Sequence, residues 1–219
     1  INYNNIEIDK WEDYKNIDIN ILRGIYSNGF EKPSPIQKKA INPMIDRKDL
    51  IAQAQSGTGK TGAFTIGLLN LIDLNKDSVQ CIVLSPTREL SIQTKNVIEN
   101  IGIFLKNLKC KLLIGGTSID EDINYFYKNK PQILVGCTGR IQDTIKRGLI
   151  DTKDINLIVL DEADEMLSTG FKDQIYNIFR YLNENIQVCL FSATIPYQIN
   201  EIIDKVMRDP VKILVKSDM

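Results

Sequence analysis

The fold is decided by the stretch Ala54-Gln55-Ser56-Gly57-Thr58-Gly59-Lys60-Thr61, which follows the apolar run Leu50–Gln53 and opens a segment with helical periodicity. Glycines let a backbone bend around a phosphate group so that several N–H groups point inward, and the following helix adds the positive end of its dipole. An ammonium group such as that of Lys60 suits nucleotide β- and γ-phosphates, and a hydroxyl such as that of Thr61 suits Mg²⁺. An ordinary turn with a chance Gly-Lys-Thr is the alternative, which the position between strand and helix disfavours.

Short apolar runs alternate with amphipathic stretches along the rest of the chain. Several runs, such as Ile82-Val83-Leu84, are continuously apolar, which is typical of strands covered on both faces. We therefore predict an α/β domain with a mainly parallel β-sheet and helices on both faces. The predicted strands are Leu50–Gln53, Cys81–Ser85, Lys111–Ile114, Ile133–Val135, Leu157–Asp161, Val188–Ser192 and Val211–Val215. The predicted helices are Asn20–Ser27, Ile36–Ile45, Lys60–Leu71, Glu89–Leu105, Asp120–Tyr127, Arg140–Lys146, Phe171–Leu182 and Tyr197–Met207.

Carboxylates follow one of these apolar runs in the string Asp161-Glu162-Ala163-Asp164. Ligands of open parallel sheets bind beyond the carboxyl ends of the strands, so Asp161 is placed to hold Mg²⁺ and Glu162 to orient or deprotonate an attacking water. Adjacent carboxylates are costly in a low-dielectric cleft unless a cation compensates them. An acidic helix N-terminus, which the helix dipole favours, is the alternative, and the glycine-rich loop upstream favours the catalytic interpretation.

Composition limits the classes of function. The chain has 219 residues, 43% of them hydrophobic, and a formal net charge of −1. Because free-standing nucleic-acid binders are usually strongly basic, any nucleic-acid contact must be local. The absence of histidine excludes a histidine general base, and the four cysteines lack the spacing of a zinc site. No apolar run is long enough to span a membrane.

A segment upstream of the loop combines Phe30, Pro33 and Gln37, with Trp11 further upstream. The amide of Gln37 offers a donor and an acceptor that match an adenine edge, and Phe30 or Trp11 could stack on the base. A helix stop and restart, with Phe30 in the core, explains the same residues equally well.

The order and content of these motifs resemble the DEAD-box RNA helicases, and the resemblance extends from about Trp11 to Val215. That family also has alanine at the position of Ala54, where the general phosphate-loop pattern has glycine. The matching motifs are Phe30, Pro33 and Gln37, then Ala54–Thr61, Pro86–Leu90, Gly115-Gly116, Asp161–Asp164 and Ser192-Ala193-Thr194. The phrases most similar to the initiation factor 4A group are Leu22–Tyr26, Gly29–Ser34, Met166–Tyr176 and Met207–Lys216.

The resemblance implies a RecA-like domain that uses ATP and Mg²⁺ and contacts the sugar–phosphate backbone of RNA. The implied ATP contacts are Phe30, Lys32, Gln37, Gln55, Ser56, Gly57, Thr58, Gly59, Lys60 and Thr61. The implied metal ligands are Thr61 and Asp161, and the implied catalytic residues are Glu162, Lys60 and Asp161. The implied RNA contacts are Pro86, Thr87, Arg88, Gly115, Gly116, Gly139 and Arg140. Asp164, Ser192 and Thr194 are implied to couple the ATP site to strand separation, although Ser192 and Thr194 also suit a small polar strand end.

Two departures from the family pattern affect these expectations. A segment that usually has the sequence Thr-Pro-Gly-Arg is Cys137-Thr138-Gly139-Arg140 here. Gly139 and Arg140 still offer a helix N-terminus and a cation to a phosphate, but the hydroxyl is shifted and the proline is missing. The upstream aromatic residue is usually phenylalanine and lies about one residue closer to Gln37, where this chain has Trp11.

The resemblance also implies how the chain is organised and what it works with. We expect an N-terminal tail over residues 1–18 and a RecA-like domain over 19–216, with a second RecA-like domain elsewhere in a longer protein. We expect RNA and a translation-initiation or RNA-processing scaffold as partners, no membrane contact and a cytoplasmic location, with the nucleus left open. An ATP-gated RNA clamp with slow turnover and a phosphotransferase for small molecules are the alternative functions.

Overall fold

The sheet of this protein is parallel throughout. The computed structural model describes residues 2–216, and within them seven strands pair in parallel in the order β3-β4-β2-β5-β6-β1-β7. The strands are β1 Leu50–Gln53, β2 Cys81–Leu84, β3 Cys110–Leu113, β4 Ile133–Gly136, β5 Leu157–Leu160, β6 Gln187–Ser192 and β7 Val211–Leu214. Each predicted strand is confirmed to within one residue at either end.

Helices cover both faces of the sheet, as the sequence predicts. They are α1 Ile19–Ser27, α2 Pro35–Ile45, α3 Lys60–Leu71, α4 Arg88–Ile101, α5 Ile119–Lys128, α6 Thr138–Lys146, α7 Ala163–Ser168, α8 Lys172–Arg180 and α9 Tyr197–Val206. One buried core joins α1–α4 to the sheet through residues such as Phe64, and a second joins α6–α9 to the opposite face through residues such as Met166. Successive strand residues alternate between the cores, because side chains of a strand point to opposite faces. Val83 faces the first core, for example, and Ile82 faces the second.

The largest departures from the predicted helices are at α4 and α7, while α6 begins two residues earlier than predicted and α8 ends two residues earlier. Helix α4 ends at Ile101 rather than Leu105, because Gly102 caps it and a turn follows in which Leu105 N–H donates to the Gly102 carbonyl. The apolar residues beyond that glycine continue the helical spacing in sequence only. Helix α7 was not predicted, since six residues are too short to show periodicity.

Part of the segment interpreted as a tail packs against the domain. Ile8, Trp11 and Tyr14 are buried in the first core, and the rings of Trp11 and Tyr14 stack with their centroids 5.9 Å apart. Most of the neighbouring residues in the sequence are polar, so no local signal indicates that these three residues are buried.

Within residues 2–216, no helix combines the length and the apolar character that crossing a lipid bilayer demands.

Candidate active site

Adjacent strands bring the motifs of the candidate site together. Strands β5, β6 and β1 are neighbours in the sheet, so the segments that follow their carboxyl ends lie side by side. The loop Ala54–Gly59 follows β1, Asp161–Asp164 follows β5, and Ala193-Thr194 follows β6. The Ala54 N–H donates to the Ser192 carbonyl over 3.0 Å, which ties the first of these segments to the last.

The glycine-rich loop has the conformation that a phosphate cradle needs. Gly57 and Gly59 have φ values of +83° and +88°, a left-handed backbone that glycine adopts without strain. A Cβ atom at Gly59 would lie only 2.8 Å from Ser34 Oγ, so glycine is also needed there for space. Gln55, Ser56 and Gly57 are exposed, and α3 starts at Lys60 without a side-chain cap. The N–H groups of that helix end are therefore available to an anion.

Lys60 bridges the loop and the acidic segment. Its Nζ lies 2.8 Å from Asp161 Oδ1 and 3.4 Å from Glu162 Oε1. Burial raises the pKa of Asp161 above its usual value, and the neighbouring ammonium group of Lys60 opposes that rise. Glu162 has a φ of +51°, a strained value for a residue with a side chain, and this turn directs its partly exposed carboxylate toward Lys60.

The residues around Asp161 fit a magnesium ion. Asp161 is fully buried, and apart from the ion pair of Oδ1 with Lys60 its carboxylate oxygens have no well-formed hydrogen bond to a described side chain. A buried carboxylate with unused lone pairs suits a divalent cation, and the half-buried Thr61 directly follows Lys60, whose ammonium group contacts that carboxylate. Within residues 2–216 no group of three His, Cys, Asp or Glu could hold a metal alone. Mg²⁺ is typically held by one or two carboxylates together with substrate phosphates, which this site matches.

The segment predicted to contact adenine is connected to the glycine-rich loop. Gln37 Oε1 accepts from the Ser34 N–H over 2.8 Å, and Gln37 Nε2 donates to the Gly59 carbonyl over 3.2 Å. Each polar atom of the Gln37 amide thus keeps one further hydrogen-bonding position. Phe30 is half-buried and Lys32 is exposed, so both remain candidates for contact with a nucleotide.

Trp11 cannot stack on a base in this structure, so that interpretation of the sequence is wrong. The side chain is fully buried, and its Nε1 donates to the Phe30 carbonyl over 3.0 Å. Tyr14 Oη likewise donates to the Gln37 carbonyl over 2.7 Å. Both aromatic residues therefore stabilise, through hydrogen bonds from the protein interior, the backbone of the segment predicted to contact adenine, which is called the adenine segment below.

Asp164 is hydrogen-bonded to the segment that follows β6. Its Oδ2 accepts from both the N–H and the hydroxyl of Thr194, over 3.1 and 2.8 Å. Ser192 Oγ accepts from the Asp164 N–H over 3.2 Å and donates to the Thr194 carbonyl over 2.6 Å. The expected contacts among these three residues exist, and their role in coupling remains a prediction.

The residues predicted to contact RNA lie at the carboxyl ends of β2, β3 and β4. Arg88 is exposed and approaches the tandem glycines so closely that a Cβ atom at Gly116 would lie 2.5 Å from its Nη1. Gly115, Gly116 and Gly139 are exposed. Pro86 is buried, and Thr87 caps α4 by accepting from the Leu90 N–H over 3.1 Å. The two therefore shape this edge more than they present side chains to a ligand.

The altered segment at the start of α6 has lost its surface hydroxyl. Cys137 occupies the N-cap position without a side-chain hydrogen bond to the helix, and its Sγ lies 3.8 Å from Ser91 Oγ. The Thr138 hydroxyl turns inward and forms a hydrogen bond with Gln174 of α8. Arg140 is held by an ion pair to Asp122 rather than reaching freely outward.

Comparison with known proteins agrees with this arrangement. The family described as DEAD/DEAH box helicase matches residues 34–202. The chain belongs to this family. Residues 34–202 contain most of the motifs described above, from Gln37 to Thr194, whereas Phe30 and the buried Trp11 lie upstream.

Relatives of this DEAD-box domain include proteins named as RNA helicases and initiation factors. It is 52% identical over 217 residues to the ATP-dependent RNA helicase eIF4A of Lodderomyces elongisporus, covering 99% of this chain and 54% of that protein. It is 54% identical over 202 residues to the probable eukaryotic initiation factor 4A of Trypanosoma cruzi, covering 91% of this chain and 50% of that protein. The chain thus spans about half the length of the curated relatives it matches.

A solved structure also resembles this DEAD-box domain. The crystal structure of a DEAD box protein from the hyperthermophile Methanococcus jannaschii superposes with a TM-score of 0.91 at 38% identity. The match covers 96% of this chain and 57% of that one. The predicted RecA-like fold is thereby confirmed.

Sequence reasoning missed several residues that shape the site of this DEAD-box domain. The box formed by Ser34 and Gln37 has a local signal, because serine followed three residues later by glutamine is a known helix-capping pattern. Tyr14, Asp122 and Gln174 have no such signal. Their partners lie far away along the chain, so only the folded structure identifies them.

Proposed function

We propose that this chain is the ATP-binding RecA-like domain of an ATP-dependent RNA helicase, with the domain proper over residues 19–216. The observation that carries the proposal is the meeting of Lys60 with Asp161 and Glu162 beneath an exposed glycine-rich loop. A triphosphate in that loop would take the ammonium group of Lys60, while Asp161 and Thr61 would hold Mg²⁺. Mg²⁺ held by these residues would supply positive charge that offsets the charge developing during phosphoryl transfer. Glu162 would orient or deprotonate the attacking water.

RNA is the proposed second substrate, bound through its backbone. Arg88 and the exposed glycines at the ends of β3 and β4 offer one cation and several backbone N–H groups. Such contacts are independent of base sequence and weaken as salt rises. The formal net charge of −1 favours a few local contacts and disfavours a broad basic surface.

A second RecA-like domain is proposed to complete the enzyme. The curated relatives are about twice as long as this chain, and the arginines that stabilise a transferring phosphoryl group would come from the second domain. We therefore expect this chain alone to bind ATP weakly and to unwind RNA hardly at all. The names of the relatives favour a role in translation initiation, in the cytoplasm, over that of a nuclear RNA clamp.

The test is a calorimetric titration of the 219-residue chain with Mg²⁺–ADP. Lys60→Ala should abolish the binding signal, whereas Lys146→Ala, at an exposed position near the end of α6, should leave it unchanged. Binding that survives in Lys60→Ala would contradict the assignment of the loop.

A further inference from the structure

Asp122 is a buried acid held between two cations. Its side chain is 3% exposed, Lys111 Nζ lies 3.0 Å from Oδ1, and Arg140 Nη1 lies 2.7 Å from Oδ2. Lys111 also lies over the ring of Tyr125, 4.6 Å from its centroid. Both oxygens of the carboxylate are thus engaged by charged partners, which offsets the cost of burying the side chain.

Arg140 has most of its hydrogen-bonding capacity directed inward. In addition to Asp122, its Nη1 donates to Thr117 Oγ1 over 3.3 Å and its Nη2 to the Thr117 carbonyl over 2.8 Å. Its side chain is only 13% exposed. Arg88 differs, because it is exposed and its guanidinium group forms no hydrogen bond or ion pair with any residue among 2–216. The two arginines at this edge are therefore unequal as phosphate ligands.

The cluster joins two elements that carry or adjoin predicted RNA contacts, β3 and α6, through α5, which lies between them in the chain. Lys111 belongs to β3, Asp122 to α5 and Arg140 to the first turn of α6. Thr117 directly follows the tandem glycines, and its hydroxyl also donates to the Ile114 carbonyl over 3.0 Å. The ion pairs consequently fix the glycine loop relative to the N-terminus of α6. A shift of one with respect to the other would misalign the backbone N–H groups that are proposed to contact one RNA strand.

We propose that Asp122 is a positioning residue for RNA binding. Arg140, held by Asp122, fixes the glycine loop relative to the N-terminus of α6 and does not act as a free cation for phosphate. The inference rests on the proposed RNA binding and deepens it. It revises the expectation from sequence, in which Arg140 supplies a charge to the RNA backbone. Arg88 remains the direct phosphate ligand of this edge.

The test measures binding of a fluorescein-labelled 20-nucleotide uridine RNA to the 219-residue chain over a range of salt concentrations. Asp122→Asn and Arg140→Gln should each weaken binding about three- to tenfold, and the double variant should be no weaker than the weaker single variant. Neither Asp122→Asn nor Arg140→Gln should change the slope of log affinity against log salt concentration. Arg88→Gln should reduce that slope by about one, as expected for loss of a phosphate contact. Asp120→Asn, at an exposed position on the same helix, is the matched control.

A second readout keeps this proposal separate from RNA binding itself. Amide hydrogen exchange at residues 115–117 and 139–141 should accelerate in Asp122→Asn but not in Asp120→Asn, with the melting temperature of each variant recorded as a check on folding. Tighter RNA binding by Asp122→Asn, together with a reduced salt slope in Arg140→Gln, would overturn the proposal, as would unchanged exchange. Failure of the unmodified chain to bind RNA, with exchange behaving as expected, would instead contradict the proposed function.

Discussion

Lys60 Nζ lies 2.8 Å from Asp161 Oδ1, so the residue assigned to phosphate and the residue assigned to the metal neutralise each other without a ligand. Both side chains are almost completely buried. Nucleotide binding must therefore exchange this contact for contacts with phosphate and Mg²⁺. Burial favours the protonated form of Asp161, and the ion pair with Lys60 opposes this effect by favouring the carboxylate.

Breaking this ion pair should affect stability as well as binding. Lys60→Ala leaves Asp161 buried without a cation, and we expect a loss on the order of 3 kcal/mol in the free energy of unfolding at pH 7. Burial raises the pKa of Asp161 in the folded state above the value of 3.8 expected when unfolded. Protonation of Asp161 therefore stabilises the folded state below pH 3.8. This contribution is lost as pH rises through the folded pKa. The deficit of Lys60→Ala should thus shrink as pH falls toward 4.

Urea unfolding followed by the fluorescence of Trp11, the single tryptophan, measures this effect. Lys60→Met combined with Asp161→Asn is the control, and it should recover most of the lost stability. A deficit that is equal at pH 4 and pH 7 would contradict the role of the unpaired acid.

Glu162→Gln should separate binding from hydrolysis. The substitution keeps the shape of the side chain and removes the proton acceptor, so Mg²⁺–ADP affinity of the chain should change little. In a protein that contains both RecA-like domains, RNA-stimulated ATP hydrolysis should fall by about 10²- to 10⁴-fold. Phosphate release assays measure the rate. A Glu162→Gln protein that retained normal turnover would exclude Glu162 as the base.

Asp164 should make the stability of the domain depend on pH in the opposite sense from Asp161. Partial burial raises the pKa of Asp164, but hydrogen bonds led by that from the Thr194 hydroxyl outweigh it and hold the pKa below 3.8. A lowered folded pKa contributes stability above the unfolded value, and this stability is lost as pH falls through the folded pKa. Asp164→Asn should therefore unfold more easily than the unmodified chain at pH 6, with the difference narrowing below pH ~3.8. Thermal melts across this range give the measurement, with Asp173→Asn as an exposed control.

Cys137→Thr should restore a helix cap. Cys137 has the extended backbone of an N-cap residue, with φ −89° and ψ 153°, but makes no side-chain bond to the helix. A threonine hydroxyl there can accept from an N–H of the first turn of α6, which stabilises a helix by about 0.5–1 kcal/mol. Differential scanning calorimetry should show a higher melting temperature. Cys137→Val, which has a similar shape without a hydroxyl, should show no gain.

Tyr14→Phe should weaken adenine recognition from a distance. The substitution removes the 2.7 Å hydrogen bond to the Gln37 carbonyl, a loss of about 1 kcal/mol in stability. Because the same glutamine contacts the Gly59 carbonyl, the loss should also lower Mg²⁺–ADP affinity by a few-fold. Tyr181→Phe, at an exposed position, is the control in the same titration. Unchanged ADP affinity in Tyr14→Phe would show that the adenine segment holds its place without this support.

The sequence by itself determined the strands, most of the helices and the position of the glycine-rich loop. Continuous apolar runs such as Ile82–Leu84 and the glycines between Gln53 and Lys60 are local signals, because burial on both faces and backbone conformation are expressed within a few neighbouring residues. Tertiary structure alone decided that Trp11 is buried and donates a hydrogen bond to the Phe30 carbonyl. It also decided that Arg140 is paired with Asp122. Those outcomes depend on which distant residue competes for the same side chain, and nothing in the spacing along the chain records that competition.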